Sequence, residues 1–507
     1  MRNAHEVDSL TGWTAPWQGL RVAVLGLGVT GFSVADTLAE LGASALVLAP
    51  SADEKTADLL DVLGIPLVLC DLEGVRALTE LEAFAPELVV VSPGFRPRHP
   101  LVAWAGEHSV PVWGDVELAW RLRDKTGTAA PWLAVTGTNG KTTTVQLTAA
   151  MLTAAGKRVA ACGNVGMPVL DAIRDPAGFD ALVVELSSFQ LHYINSIAPH
   201  ASVCLNVAAD HLDWHGSAQA YRQAKAKVYH NTVAVCLFNR ADDATRSMVE
   251  DADVAEGCRA VGFGLGIPVP GDVGVVDGIL CDRAFHKDYR HAAVELVHVD
   301  ELAAVGLDSP HMVQNVLAAS ALALSVGTSA GAIRTALGAF RIDHHRTEVV
   351  AERDGLRWVD DSKATNPHAA HAALASCPSV VWIVGGLLKG VDVNHLVESE
   401  AGRLRAAVVI GADRHELVAA FARHAPALPV FEVDTVDTEQ VMPTAVRLSA
   451  AVARSGDTVL LAPAAASMDQ FKNYADRGAR FAAAVNDMLG GGADDDEPSS
   501  PAASPDR

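Results

Sequence analysis

Basic charge and paired cysteines are what this 507-residue chain has least of. Its 39 Lys and Arg stand against 61 Asp and Glu, a formal net charge of −22. Nucleic acid and anionic membrane are therefore excluded as main partners, because most of the surface would repel them. Any anionic ligand must be held by a local group. The seven cysteines (Cys70, Cys162, Cys204, Cys236, Cys258, Cys281 and Cys377) are odd in number, scattered and without a C-x-x-C pair. That argues against a zinc or disulfide framework and suits buried thiols in a reducing cytoplasm. No apolar run reaches the roughly 18 residues of a membrane span. The first twenty residues carry Glu6, Asp8 and two tryptophans in place of a signal-peptide core. A cytoplasmic protein is expected, and no short-period repeat is present.

Half the residues are hydrophobic and 20% are charged, a globular composition. At about 150 residues per domain, this length predicts roughly three domains. Their pattern is α/β. Arg21 to Gly26 reads as a strand leading into the Gly26-Leu-Gly-Val-Thr-Gly31 loop and a helix over Phe32 to Leu41. Further strands are expected at Ala45–Leu48, Leu67–Cys70 and Leu88–Val91, then at Trp132–Val135, Ala181–Val184, Ala201–Val207 and Val233–Phe238. A last group lies at Thr347–Val350, Val380–Val384, Ala406–Ile410 and Thr458–Leu461. Alternation with helices implies parallel, doubly wound sheets. The expected division is a Rossmann-like domain at 1–129, a central P-loop ATP-binding domain at 130–344, a Rossmann-like C-terminal domain at 345–489 and a disordered acidic tail at 490–507.

The most informative segment is Thr136-Gly-Thr-Asn-Gly-Lys-Thr-Thr143, a glycine loop between a buried-strand pattern and a helix. Freed backbone N–H groups at Gly137 and Gly140 can face phosphate oxygens, Lys141 can neutralise them, and the Thr142 hydroxyl can ligate Mg²⁺. The full Walker spacing would need glycine at Val135, so this loop is a shorter variant. Glu185 ends a strand, and Asp210 and His211 follow another. A carboxylate, an imidazole and a P-loop hydroxyl at strand ends can hold one or two Mg²⁺ ions on ATP phosphates. Tyr221, Lys225 and Tyr229 fall at i, i+4 and i+8 of a helix, which puts a lysine on an apolar stripe; a snorkelling surface lysine is the alternative. The Gly26–Gly31 loop lacks the acid that would hold a ribose, since its second strand ends at Ala49-Pro50. This counts against a dinucleotide there.

Together, Thr136–Thr143, Glu185-Leu-Ser-Ser-Phe-Gln190, Asn206–Asp213 and Tyr221-Arg-Gln-Ala-Lys225 resemble the ATP-dependent Mur ligases of peptidoglycan synthesis. The resemblance runs from the Gly26 loop to Phe481. It implies carbon–nitrogen bond formation through an acyl phosphate, with ATP and two Mg²⁺ ions as cofactors. Trp358–Asn366 and Leu461–Tyr474 point to the members that add D-glutamate to UDP-N-acetylmuramoyl-L-alanine. By this resemblance Lys141, Glu185, His211 and Lys225 are catalytic, with Lys225 carbamylated. Thr142, Glu185, His211 and the Lys225 carbamate would hold the metal. ATP would meet Gly137, Thr138, Asn139, Gly140, Lys141, Thr142, Thr143, Asn315, Arg346 and Asp361.

The acceptor substrate would meet Val29, Thr30, Gly94, Asn164 and Ser187, and the amino acid would meet Lys363, Thr365, Lys389, Ser467, Met468 and Tyr474. Met312 stands where the family has an adenine-contacting asparagine. Ala49, Pro50 and Ser51 stand where some relatives grip uridine, so backbone near Gly94 or Asp53 is expected to serve instead. A monomer hinged near Ile342–Thr347 is also expected. Open alternatives are another Mur ligase, a folylpolyglutamate-synthetase-like ligase, an NAD-dependent oxidoreductase using Gly26–Gly31, and a P-loop switch without chemistry.

Overall fold

A computed structural model describes residues 2–435 and 437–490; most of the expected acidic tail lies outside them. Among the described residues the chain forms three sheets, and it divides into two compact units. Unit 1 comprises Met1–Ala209 and Trp214–Arg341; unit 2 comprises Asp210–Asp213 and the chain from Ile342 onward.

The first sheet of unit 1 is parallel: β1 (Arg21–Leu25), β2 (Ser44–Ala49), β3 (Leu67–Leu69), β4 (Leu88–Val91) and β5 (Val112–Gly114), in the order β3-β2-β1-β4-β5. β1 and β4 are continuous apolar runs because helices cover both faces. Strand order reverses between them, which opens a crevice at their carboxyl ends. The expected helix starts earlier than Phe32, running Val29–Glu40 from a Gly28 cap. Gly31 is required by packing, since a Cβ there would sit 2.1 Å from the Gly26 carbonyl oxygen.

The second sheet holds β6 (Trp132–Thr136), β7 (Val159–Gly163), β8 (Ala181–Glu185), β9 (Ala201–Cys204), β10 (Val235–Asn239), β11 (Arg259–Phe263), β12 (Val273–Val276), β13 (Ile279–Asp282) and β14 (Val294–His298). Their order is β14-β13-β12-β11-β10-β9-β6-β8-β7. The sheet is not wholly parallel as expected: β12, β13 and β14 pair antiparallel. The two-residue turn at Asp277-Gly278 between β12 and β13 leaves no room for a crossover helix. β9 also ends at Cys204, three residues early.

Unit 2 contains β15 (Glu348–Arg353), β16 (Leu356–Asp360), β17 (Val380–Gly385), β18 (Leu404–Ile410), β19 (Val430–Glu432) and β20 (Thr458–Leu461), ordered β15-β16-β20-β17-β18-β19. An Asp354-Gly355 turn makes β15 and β16 an antiparallel hairpin. Alternate residues of β17 face opposite cores: Trp382 packs with Leu417 and Phe421, while Ile383 joins the cluster of Trp358, Phe481 and Val485. No helix among the described residues is long and apolar enough to cross a membrane.

Candidate active site

In unit 1 the phosphate-loop residues sit where β6 meets the helix Lys141–Ala154. Gly137 (φ 151°) and Gly140 (φ 85°) supply backbone angles that other residues reach only with strain. The loop is tied from behind. The Asn139 N–H donates to Asn206 Oδ1 (2.9 Å) and the Asn206 amide returns a bond to the Asn139 carbonyl (3.1 Å). Thr138 Oγ1 accepts from the Ala208 N–H at 2.9 Å and lies 3.0 Å from the Tyr221 hydroxyl. Lys141 Nζ folds back onto the carbonyls of Gly137 (2.9 Å) and Thr138 (3.0 Å). Thr142 and Thr143 are buried at the helix start.

Asn315, on the helix Pro310–Ser325, is built into this loop. A Cβ on Gly140 would lie 2.4 Å from Asn315 Oδ1, and the Asn315 amide donates to the Met312 thioether at 3.9 Å. Met312 thus offers a weak acceptor while being buried in the core. Gly140→Ala combines this clash with positive φ. It is expected to cost about 1–3 kcal/mol and to raise the KM for ATP, readable by thermal denaturation and phosphate release.

Lys225 corrects the surface-lysine alternative. It is only 1% exposed, on the helix Ala218–Ala226, with Tyr221 and Tyr229 buried on the same stripe. Its Nζ donates to the Gly137 carbonyl at 2.8 Å and to Thr136 Oγ1 at 3.4 Å, 4.8 Å from the Tyr221 ring centre. Glu185 ends β8 beside β6 and is equally buried. Its Oε1 accepts from the Asn164 amide at 3.0 Å, whereas Oε2 is buried without a hydrogen-bond partner. A buried carboxylate oxygen left unpaired is costly, and a divalent cation is a fitting partner for it. Ser187 caps the helix Ser188–His192, exchanging bonds with Gln190.

The first sheet's crevice carries Val29 (75% exposed), Thr30 and Gly94. Gly94 offers its carbonyl to Trp214 Nε1 at 3.2 Å. Beside the Gly28 cap opens a cleft of about 760 Å³ whose lining includes Val29, Asp53, Thr56, Lys125 and Arg174. Asp53 caps its own helix and accepts from Thr56 N–H and Oγ1. Asp36, Asp53, Asp171 and Asp175 outnumber the two cations here.

His211 belongs to unit 2, in the left-handed region (φ 52°), with Nε2 3.7 Å from Asp210 Oδ2. Asp210 is buried; burial works against its charge, but Lys389 beside it holds the carboxyl below the usual range. Asn366 also donates to Asp210, at 3.3 Å. The segments after β16, β17 and β20 emerge from neighbouring strands. The isolated bridge between Leu387 and Ala466 joins the last two. Lys363 Nζ lies 5.0 Å over the Tyr474 ring, Thr365 follows it, Ser467 is buried, and Met468 is 72% exposed. Asp361 accepts from the Thr347 N–H, and burial pushes its carboxyl up to about 7, with Arg346 pulling the other way.

Three polar residues that support these segments lie outside the expected site set. Asp115 bonds Gln190 from the end of β5, and its carboxyl is pushed by burial to about 6. His345 Nδ1 lies 2.6 Å from Asp360 Oδ2. Arg477 is wholly buried. Only Arg477 left a signal, an apolar stripe shared with Phe481 and Val485 at i+4 and i+8.

Residues 135–323 match the Mur ligase middle domain, and residues 345–465 match the Mur ligase, glutamate ligase domain. A protein of Leifsonia xyli subsp. xyli named UDP-N-acetylmuramoylalanine--D-glutamate ligase is 63% identical over 499 residues, 96% of each chain. One of the same name from Streptomyces avermitilis is 52% identical over 93% of this chain and 99% of its own. Among solved structures, the UDP-N-acetylmuramate-alanine ligase MurC of Thermotoga maritima aligns with a TM-score of 0.53 at 18% identity, covering 92% of this chain and 100% of the other. The MurF ligase of the same organism, solved with ADP, gives 0.52 at 18%, covering 94% and 96%.

Proposed function

The chain belongs to the Mur ligase family, and from that premise we propose that it joins D-glutamate to UDP-N-acetylmuramoyl-L-alanine using ATP. The observation that carries the choice of substrates is the 63% identity, spanning 96% of both chains, to a relative named for that reaction. The other readings lose ground on the residues. An NAD-dependent oxidoreductase lacks the acid at the end of β2, where Ala49 is buried. A switch without chemistry gives no use to a buried Glu185 oxygen or to Lys225.

In the proposed reaction the γ-phosphoryl group of ATP passes to the L-alanine carboxylate. A carboxylate does not react with an amine at neutral pH, whereas an acyl phosphate carries a good leaving group. The D-glutamate amine attacks, and the tetrahedral intermediate collapses to amide and phosphate, with ADP already formed. Loop N–H groups from Gly137 to Thr143 receive the phosphates, and Lys141, released from the two loop carbonyls, offsets charge on the transferring group. Mg²⁺, when bound by Thr142, Glu185 and a carbamylated Lys225, would supply charge neutralisation at the phosphates. Asn164 orients Glu185 and, with Ser187 and Gly94, contacts the muramoyl substrate. Val29 and Thr30 open the helix that faces its diphosphate. Lys363, Lys389, Thr365 and Ser467 suit a substrate with two carboxylates, with Met468 and Tyr474 at its flanks. Arg346, Asp361 and Asn315 serve the nucleotide. The proposed domains are 1–129 for the UDP substrate, 130–344 for ATP and 345–489 for the amino acid.

Phosphate release by the purified protein tests the reading, offering D-glutamate, L-lysine, meso-diaminopimelate and dihydrofolate with their cognate partners. Turnover is expected with D-glutamate and UDP-N-acetylmuramoyl-L-alanine alone; dependence on any other pair sinks the assignment.

A further inference from the structure

Arg477 has no task in the reaction just proposed, yet it is the most deeply placed cation of unit 2. It lies in the first turn of the helix Tyr474–Gly490 with 0% exposure. A buried guanidinium is costly unless its donors are matched, and the usual match is a carboxylate. Here every nitrogen goes elsewhere. Nε donates to Ser362 Oγ at 3.0 Å, Nη2 to the Ser362 carbonyl at 2.8 Å, and Nη1 to the Ala465 carbonyl at 3.1 Å. Ser362 Oγ in turn donates to the Tyr474 carbonyl at 2.7 Å. Burial pushes the guanidinium pKa down to about 10, against the pull of Asp469 and Asp360, so it stays charged at neutral pH.

The two segments joined by this fork leave β16 and β20. One carries Lys363 and Thr365, the other Ser467 and Met468. The next residue tightens the seat: a Cβ on Gly478 would lie 2.2 Å from His345 Nδ1 and 2.5 Å from Asp360 Oδ2. An apolar side chain of similar volume would hold the helix down without desolvating a charge. What it could not do is fix the spacing of two carbonyl-bearing loops with a rigid, three-pronged donor.

We infer that Arg477 is a positioning residue for the amino-acid substrate, holding the loops after β16 and β20 at the separation in which Lys363, Thr365 and Ser467 can meet one dicarboxylic amino acid. This rests on the ligase reading above. The test uses full-length Arg477→Ala and Ser362→Ala, with phosphate release measured as each of the three substrates is varied. For Arg477→Ala the KM for D-glutamate should rise about 30-fold, as expected for losing hydrogen bonds to a charged group. The other two KM values should stay within about twofold, and added methylguanidinium should restore much of the glutamate affinity. An unchanged glutamate KM overturns the inference, as does a parallel rise in all three KM values without guanidinium rescue. If Arg477→Ala does not fold, Ser362→Ala decides: a selective rise in glutamate KM at unaltered Tm supports the role, and an unchanged KM removes it. Should the wild type require a different amino acid, the substrate assignment falls. The Arg477 comparison is then made with that amino acid and stands or falls by itself.

Discussion

Replacing Lys225 with alanine is expected to lower phosphate release on the order of 100-fold or more, and millimolar formate or acetate is expected to return part of it. The argument starts from burial. An ammonium with 1% exposure that bonds the oxygens of Gly137 and Thr136 would repel any cation bound by Glu185 and Thr142. Condensation with CO₂, as proposed, would reverse its sign: the amine would become a carbamate, a carboxylate-like metal ligand on a long stem. Alanine leaves a void of the right chemistry for a small carboxylate to enter. A lysine that merely supported the loop would give a different pattern, a fall in Tm with activity lost in proportion and no response to added acid. Full activity in the variant would remove the carbamate role outright. Carbon-13 bicarbonate labelling, read by NMR, offers an independent check on the wild type.

Glu185→Gln should separate stability from activity in opposite directions. Its Oε2 is buried without a partner, and Oε1 already accepts from Asn164. An amide keeps the second contact and relieves the first of an unpaired charge, so Tm should hold or rise. Activity at fixed Mg²⁺ should nevertheless fall on the order of 100-fold, and the Mg²⁺ concentration giving half-maximal rate should climb about tenfold or more. A variant with unaltered Mg²⁺ dependence would show that the metal is held by other residues. Titrating Mg²⁺ against phosphate release, beside thermal denaturation of the same preparations, gives both readings.

Parallel strands such as Leu88–Val91, Trp132–Thr136 and Val380–Gly385 were legible because each is a continuous apolar run beside glycine or proline, whereas the parallel strands β5, β7, β11, β16 and β19 are too short or too mixed and were not expected. The β12–β14 meander was not, since Val273–Val276 and Ile279–Asp282 are too short and mixed to stand out from loop. Motifs that end a strand could be placed from the sequence, the glycine turn from Gly137 to Gly140 between β6 and its helix above all. Their supports were harder to see. Gln190 and Asp115 meet across 75 positions of sequence, and no local pattern announces that pairing. Lys225 and Arg477 mark the boundary between the two cases. Each is a long cation placed on an apolar helical stripe, a pattern for which snorkelling is the more common outcome. In both helices the opposite holds, because carbonyls at a loop end lie within reach of the buried nitrogen.

The reciprocal amide bonds between Asn139 and Asn206 bear on the energetics of nucleotide capture. A glycine-bearing loop is among the most expensive pieces of chain to immobilise, and each residue frozen takes roughly 1–2 kcal/mol of entropy. Here the freezing is done by Asn206 as the chain folds. Under the proposed function, arriving phosphates would meet a loop already ordered, leaving their binding energy free to go into affinity and into the strained geometry of phosphoryl transfer.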